Sequence, residues 1–375
     1  MTTPLNDLHK LGQSIWYDNI QRDLLTGGGM AKMVAAGDIR GVTSNPSIFH
    51  NAIAKSDDYD DALIPLARAG QSSQEIYEAL AISDIQAATD IFRGLYDQTN
   101  SADGYVSLEV SPYLAHDTNG TCEEARRLWK AVDRPNLMIK IPATRAGLPA
   151  ITETIAAGIN VNVTLIFSIT RHAEVMDAYL LGLEKRMDAG LPLDRIASVA
   201  SFFVSRIDSN VDKQLAALIE QKSRQADLAR GLLGRIAIAN AKLAYQKFRE
   251  VFGKPRFARL QAAGARLQRP LWASTSTKNP AYRDVLYVEE LIGPDTVDTV
   301  PPATLDAFRD HGEARLTLES GLAEAGQAFE ELRAVGISFA EVTQQLEDEG
   351  VKAFADAFTA LLETIEGRRK EAGGG

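Results

Sequence analysis

The sequence predicts an α/β protein: a (β/α)8 TIM barrel with additional C-terminal helices. Three observations point there. Eight short apolar or β-branched runs recur, segments with helical spacing separate them, and no such run follows residue 300. The runs are 14–19, 39–44, 105–110, 137–143, 160–167, 197–204, 270–275 and 296–300. Several are apolar almost throughout rather than alternating, as in a parallel sheet covered by helices. Strands alternating with helices imply parallel βα units, and eight such units close naturally into a barrel. A doubly wound open sheet is the structural rival, because alternation alone does not demonstrate closure.

The intervening segments carry their own signals. Gly27-Gly28-Gly29, followed by Met30, reads as a turn leading into a helix. Ser72-Ser73-Gln74-Glu75 is a capping box, in which serine and glutamate each satisfy a free backbone donor. Ile76, Tyr77, Leu80 and Ile85 follow at roughly helical spacing. Val175, Tyr179, Leu180 and Leu183 form one stripe in 171–187, and Ile236, Leu243 and Phe248 another in 235–252. Beyond Val300, Ser338-Phe339-Ala340-Glu341 forms a second capping box, and Gly350 reads as a helix stop. Phe354, Phe358, Leu361 and Ile365 then recur along one helical face that ends near Gly367. Residues 303–369 are expected to be helical, with 373–375 frayed. A length of 375 residues at ~150 per domain suggests two or three domains. The strand pattern replaces that with a barrel over 1–302 and a helical extension over 303–375, packed together as one structural domain.

Composition excludes several classes. Hydrophobic residues at 45% and charged residues at 24% are globular values, which sets aside disordered and fibrous chains. A net charge of −10 argues against a nucleic-acid partner, which would call for a basic face. The single cysteine, Cys122, has no partner for an internal disulfide or a zinc site. No apolar stretch approaches the ~20 residues of a membrane span, and the start lacks the pattern of a secretory signal. A cytoplasmic protein with no membrane partner is expected, its sequons at Asn119 and Asn162 unglycosylated. Phosphate-binding glycine loops, HExxH pairs and the GxSxG elbow are absent, so neither cofactor nor metal is expected.

The chemistry lies in polar residues set inside apolar strands. Lys140 stands mid-run in Leu-Met-Ile-Lys-Ile-Pro-Ala. A lysine there is costly unless paired, or unless it sits on an edge strand facing solvent. Inside a barrel it is instead an amine held neutral by desolvation and able to attack a carbonyl. Other strands repeat the oddity. Asp18 ends the first, Thr43 and Asn45 close the second, and Glu109 lies near the end of the third. Asn162 and Thr164 share one face of the fifth, Ser201 sits in the sixth and Ser274 in the seventh. Barrel chemistry belongs at the carboxyl ends of strands, although each residue alone also fits a cap or turn. An amine nucleophile with two carboxylates matches carbinolamine, imine and C–C cleavage chemistry. Asn45, Asn162, Thr164 and Ser201 can hydrogen-bond hydroxyls, and Arg206 and Lys278 can pair with a phosphate.

These segments resemble transaldolase, a Schiff-base enzyme family of the pentose phosphate pathway. The resemblance rests on Gly-Val-Thr-Ser-Asn-Pro-Ser-Ile-Phe at 41–49, Ile-Lys-Ile-Pro-Ala-Thr at 139–144, and segments 14–20, 160–167, 201–208 and 271–279, in the family's order. The C-terminal extension resembles that of long-chain bacterial members. The resemblance implies a (β/α)8 barrel in which Lys140 forms the Schiff base and Asp18 takes the hydroxyl proton as a C–C bond breaks. Glu109 and Thr164 would act through a water, Asn45, Asn162 and Ser201 would hold a dihydroxyacetone unit, and Arg206 would hold the phosphate. The implied substrates are sedoheptulose 7-phosphate and glyceraldehyde 3-phosphate. The sequence departs from the family pattern twice. Phe202 stands where proline is commoner, leaving Phe203 and Arg206 in register; Ser276 stands where an arginine is usual. Either Lys278 or Ser276 would then make the second phosphate contact. Phe203 cannot donate a proton, which favours transfer over release. An aldolase-type lyase using the same lysine and a non-catalytic sugar-phosphate-binding barrel are the alternatives. Small sugar phosphates are the expected partners, with monomer and homodimer both open.

Overall fold

The structure, a computed structural model, describes residues 3–373. Eight strands form a closed, all-parallel barrel in sequence order: β1 (Gln13–Tyr17), β2 (Gly41–Val42), β3 (Tyr105–Glu109), β4 (Leu137–Pro142), β5 (Val161–Ile166), β6 (Ser198–Phe203), β7 (Gln268–Ala273) and β8 (Thr296–Val300). Hydrogen bonds between β1 and β8 close the ring, which removes the open-sheet rival and leaves no edge strand for Lys140. Each expected run contains one strand, with ends moved for local reasons. β2 is short because its ladder stops where Ser44 Oγ donates to Ser107 O at 2.7 Å. β7 stops at Ala273 because Ser274 adopts a φ of 56°, outside strand geometry.

β5 departs from regular geometry in a way no pattern announced. Between Val163 and Ile166 it advances three residues while β6 advances two, a bulge that puts Leu165 at a φ of 62°. Such bulges bend a strand and re-aim its side chains. Here the bend falls beside Thr164.

After β8 the described residues contain helices and no strand, chiefly Pro302–His311, Leu322–Ala334 and Phe339–Gly373. Of the second capping box, the serine half forms, with Glu341 N donating to Ser338 Oγ at 3.4 Å. Gly350 does not stop the helix. The terminal helix runs through it to Gly373, and the expected frayed end at 374–375 lies outside the described residues. What Gly350 provides is a close approach. A Cβ there would stand 2.9 Å from Leu165 Cδ2, so a side chain would collide with the β5 bulge.

At 35 residues the terminal helix is about 50 Å long, enough to cross the carboxyl-terminal mouth of the barrel. It packs on helices Pro46–Ala54, Asp60–Arg68, Ser73–Gln98 and Ser205–Glu220. Edge-to-face aromatic contacts fix it, with ring centroids 5.9 Å apart for Phe49–Tyr77, 5.2 Å for Tyr77–Phe358 and 5.5 Å for Tyr113–Phe358. Ser73 Oγ donates to Glu366 at 2.6 Å, Arg368 pairs with Asp60 at 3.3 Å, and Arg171 with Glu347 at 3.4 Å. Among the described residues no helix is long and apolar enough to cross a membrane. The sequon residue Asn162 is wholly buried.

Candidate active site

The parallel register places Glu109, Lys140 and Asn162 level on β3, β4 and β5. Lys140 is only 4% exposed. Its Nζ donates to Ser44 O at 3.1 Å and lies 3.6 Å from Glu109 Oε2, too far for a good hydrogen bond. Among the described residues Glu109 Oε2 has no hydrogen-bond partner. Burial therefore dominates, and the carboxyl is pushed up to about 7, with the Lys140 charge opposing the shift.

Asp18 follows β1 and is tied to the ring by its backbone N–H, which donates to Val300 O at 2.9 Å. Its carboxylate accepts from Thr43 Oγ1 at 2.5 Å, and Thr43 Oγ1 sits 2.6 Å from Thr299 Oγ1. Burial raises its pKa, while Lys140, the Thr43 hydrogen bond and Lys278 pull the other way. Both carboxyls beside the lysine are thus biased toward holding a proton.

Asp18, Thr43, Asn45, Lys140, Thr164, Ser201, Phe203, Arg206, Ser274, Ser276 and Lys278 line one cavity of about 170 Å³, joined by Thr299 and Phe354. Asn45 has two tasks. Its Oδ1 accepts from Ile48 N at 2.9 Å as the N-cap of helix Pro46–Ala54, so only its amide N–H groups remain for a ligand. Thr164 Oγ1 is buried with no partner among the described residues, a donor available to whatever occupies the cavity. Asn162 lies beneath the cavity wall rather than on it. It donates to Ser107 Oγ at 3.0 Å and accepts from Ser201 Oγ at 2.7 Å, bracing Ser201 from behind.

At the outer end Arg206 lies over the Phe203 ring, 5.2 Å from its centroid, and among the described residues it pairs with no acidic group. Burial lowers its pKa, partly offset by Glu349, yet a guanidinium stays charged. Lys278 Nζ donates to Ser276 Oγ at 2.6 Å, so the two candidates for the second anion contact are linked, and Ser276 keeps its own proton to donate. Burial first, then the neighbouring Arg206, lowers the Lys278 pKa. Two cations side by side with no bound carboxylate form a place for an anion. Ser274 Oγ is 2.9 Å from Ser205 Oγ and holds the left-handed turn in place.

A larger cavity, about 550 Å³, opens at the opposite end of the barrel and is lined by Arg40, Asp103 and Arg269. These three charges are already paired. Asp103 accepts from Ser14 at 2.7 Å, Arg40 at 2.7 Å, Trp16 at 3.3 Å and Arg269 at 3.2 Å. It holds no nucleophile with an activating partner, and amino-terminal barrel faces serve stability.

A buried amine beside carboxyls with raised pKa values, two neighbouring cations and a closed (β/α)8 frame coincide with a family relationship. Residues 15–365 match the Transaldolase/Fructose-6-phosphate aldolase family. The chain belongs to that family. It is 51% identical to Transaldolase 1 of Streptomyces coelicolor over 362 residues, covering 96% of this chain and 93% of the relative. It is 49% identical to a transaldolase of Parafrankia sp. over 366 residues (97% and 98%) and 48% identical to that of Mycolicibacterium smegmatis over 362 (96% of each).

Within this transaldolase-family barrel, the sequence reading missed Ser44, Thr299 and Phe354. Thr299 had a signal, because β8 reads Thr-Val-Asp-Thr-Val and its polar positions went unused. Phe354 was visible only as part of an apolar helical stripe. Ser44 acts through its backbone carbonyl, which no side-chain pattern reveals.

Proposed function

We propose that the protein is a transaldolase that moves a dihydroxyacetone unit from sedoheptulose 7-phosphate to glyceraldehyde 3-phosphate, giving erythrose 4-phosphate and fructose 6-phosphate. The observation that carries this reading is Lys140, a buried amine within reach of a carboxyl pushed up to about 7. The names of relatives about half identical along nearly the whole chain support transfer over release.

In this reading Lys140 Nζ attacks the C2 carbonyl, and Glu109 with Thr164 passes protons through a water as carbinolamine loses water to the imine. Asp18 takes the C4 hydroxyl proton, the C3–C4 bond breaks, and the aldose leaves while an enamine remains on Lys140. The enamine carbon attacks the incoming aldehyde, Asp18 returns the proton to the new alkoxide, and hydrolysis releases the ketose. Asn45 and Ser201 hold the retained hydroxyls, with Ser201 steadied by Asn162. Arg206 takes the phosphate, with Lys278 held by Ser276 as the second cation. The barrel over 1–302 and the extension over 303–375 act as one unit. The buried, unpaired Cys122 fits a cytoplasmic enzyme, as monomer or homodimer.

Borohydride reduction in the presence of fructose 6-phosphate tests the assignment. A dihydroxyacetone-derived adduct on Lys140, absent from Lys140→Met, is expected; a folded wild-type chain that traps nothing would sink it.

A further inference from the structure

We propose that Phe354, carried by the terminal helix, decides whether the enamine on Lys140 is transferred to an aldehyde or quenched by water. This deepens the Schiff-base reading above and rests on it.

Among the described residues, every other one lining the cavity belongs to the chain up to Pro301, and Phe354 alone comes from the extension. Its ring centroid is 5.6 Å from Lys140 Nζ, and the side chain is 6% exposed. The polar contacts of that amine are Ser44 O and Glu109 Oε2, and Phe354 is its aromatic one. The reactive carbon of an enamine lies two bonds from nitrogen, roughly 2.5 Å by ordinary covalent geometry. With the centroid 5.6 Å from the nitrogen, an enamine extending toward Phe354 brings its reactive carbon to about van der Waals distance of the ring.

The position is enforced on both sides. One turn before it, Gly350 lets the helix settle against Leu165 of the β5 bulge; a Cβ there would also stand 3.7 Å from Arg206 Nη1. One turn after it, Phe358 is held between Tyr77 and Tyr113, whose hydroxyl is 2.7 Å from Thr359 Oγ1. A side chain locked by its neighbours excludes water at no ordering cost during turnover.

The two fates of the enamine differ in one bond. In transfer, its nucleophilic carbon bonds to the aldehyde carbon, and the aldehyde oxygen receives a proton from Asp18. In quenching, the same carbon takes a proton from water, and the resulting iminium is hydrolysed to dihydroxyacetone and free Lys140. Both routes use the same lysine and carboxyls, so a wall that excludes water changes their ratio more than their sum. The face of the ring also favours the cationic iminium, a separate effect that a leucine would lose while keeping the bulk.

The test is the ratio of dihydroxyacetone released to unit transferred, measured with fructose 6-phosphate and an aldehyde acceptor. Being a ratio within one preparation, it is insensitive to a partly unfolded fraction. Phe354→Ala is expected to raise it roughly tenfold or more, and Phe354→Leu to leave it within about twofold of wild type. Phe354→Val, intermediate in bulk, is read the same way should the alanine chain not fold. An unchanged ratio in the alanine and valine chains, or a leucine chain as leaky as alanine, overturns the proposal. Borohydride trapping separates the two levels. Adducts on Lys140 with an unaltered ratio defeat this inference alone, whereas no adduct on the wild type defeats the Schiff-base reading and this inference with it.

Discussion

The two ends of the barrel treat buried carboxylates in opposite ways. At the amino-terminal end, burial pushes the Asp103 pKa up, but Arg269 and Arg40 together with the Arg40 and Ser14 hydrogen bonds outweigh it and hold the group below its ordinary value. At the carboxyl-terminal end, Glu109 has one cation 3.6 Å away and an oxygen without a hydrogen bond, and Asp298 has only Thr275 at 2.8 Å. Both are pushed up to about 7, Glu109 by burial against the Lys140 charge and Asp298 by burial against the Thr275 hydrogen bond. A charge meant to stay put is given every partner it can use. Glu109 and Asp298 are left under-partnered, which makes their charged forms expensive to bury.

The contrast can be broken most severely at Lys140. Lys140→Met should lower transaldolase activity by about a thousandfold or more while leaving the thermal midpoint within a few degrees of wild type, because it removes a nucleophile and a buried charge together. Activity assay and calorimetry on one preparation decide it; a collapse of the midpoint would show that the lysine is structural.

The opposite outcome is expected at the other end. Asp103→Ala leaves Arg40 and Arg269 facing each other with no counter-charge, a loss of about 3–5 kcal/mol in urea unfolding. Turnover by the folded fraction should stay near wild type. Wild-type stability would contradict the division of labour. Protonation tests the same group, since a carboxyl with a lowered folded pKa contributes stability above its unfolded pKa and loses it as pH falls through the folded one.

A smaller effect should confine itself to binding. Arg206→Ala removes a cation that makes no ion pair among the described residues, so KM for the phosphorylated substrate should rise about thirty- to a hundredfold, a loss of about 2–3 kcal/mol. Removing a contact made equally in ground and transition states leaves kcat largely alone. A fall in kcat with constant KM would move Arg206 out of the anion subsite.

The finest test is Asp298→Asn. A carboxyl with a raised folded pKa contributes stability below its unfolded pKa, and that stability is lost as pH rises through about 7. The amide keeps the acceptor for Thr275 and never ionises. It should therefore match wild type near pH 4 and exceed it by about 1–2 kcal/mol at pH 8. Unfolding curves at the two pH values give the answer, and equal stability at pH 8 would refute the orphaned-carboxylate account.

How much of this could be read from the chain follows from the physics of each element. The strands were legible because a barrel strand is buried on both faces and so reads as an apolar run, and a polar residue inside it stands out; Lys140 and Asn162 were found that way. Asn45 caps a helix through its oxygen and also stands on the cavity wall, so the cap reading holds without excluding the other. The β5 bulge was not legible, since Leu165 is an ordinary strand residue held left-handed by its surroundings. Gly350 was misread because a glycine that stops a helix and one that admits a neighbour look alike until the neighbour is placed. Phe354 belonged to a stripe whose other members only pack. Its neighbours on the stripe are buried in the same way, and no periodicity marks the one that reaches the cavity.

The crossing at Gly350 also bears on the order in which the molecule is finished. All eight strands precede the terminal helix in the chain, so the ring can close while that helix is still being made. For that interval the lysine and its carboxyls are assembled but uncovered. On the Schiff-base reading the molecule would acquire its nucleophile early and its aromatic cover late, when Gly350 seats against Leu165.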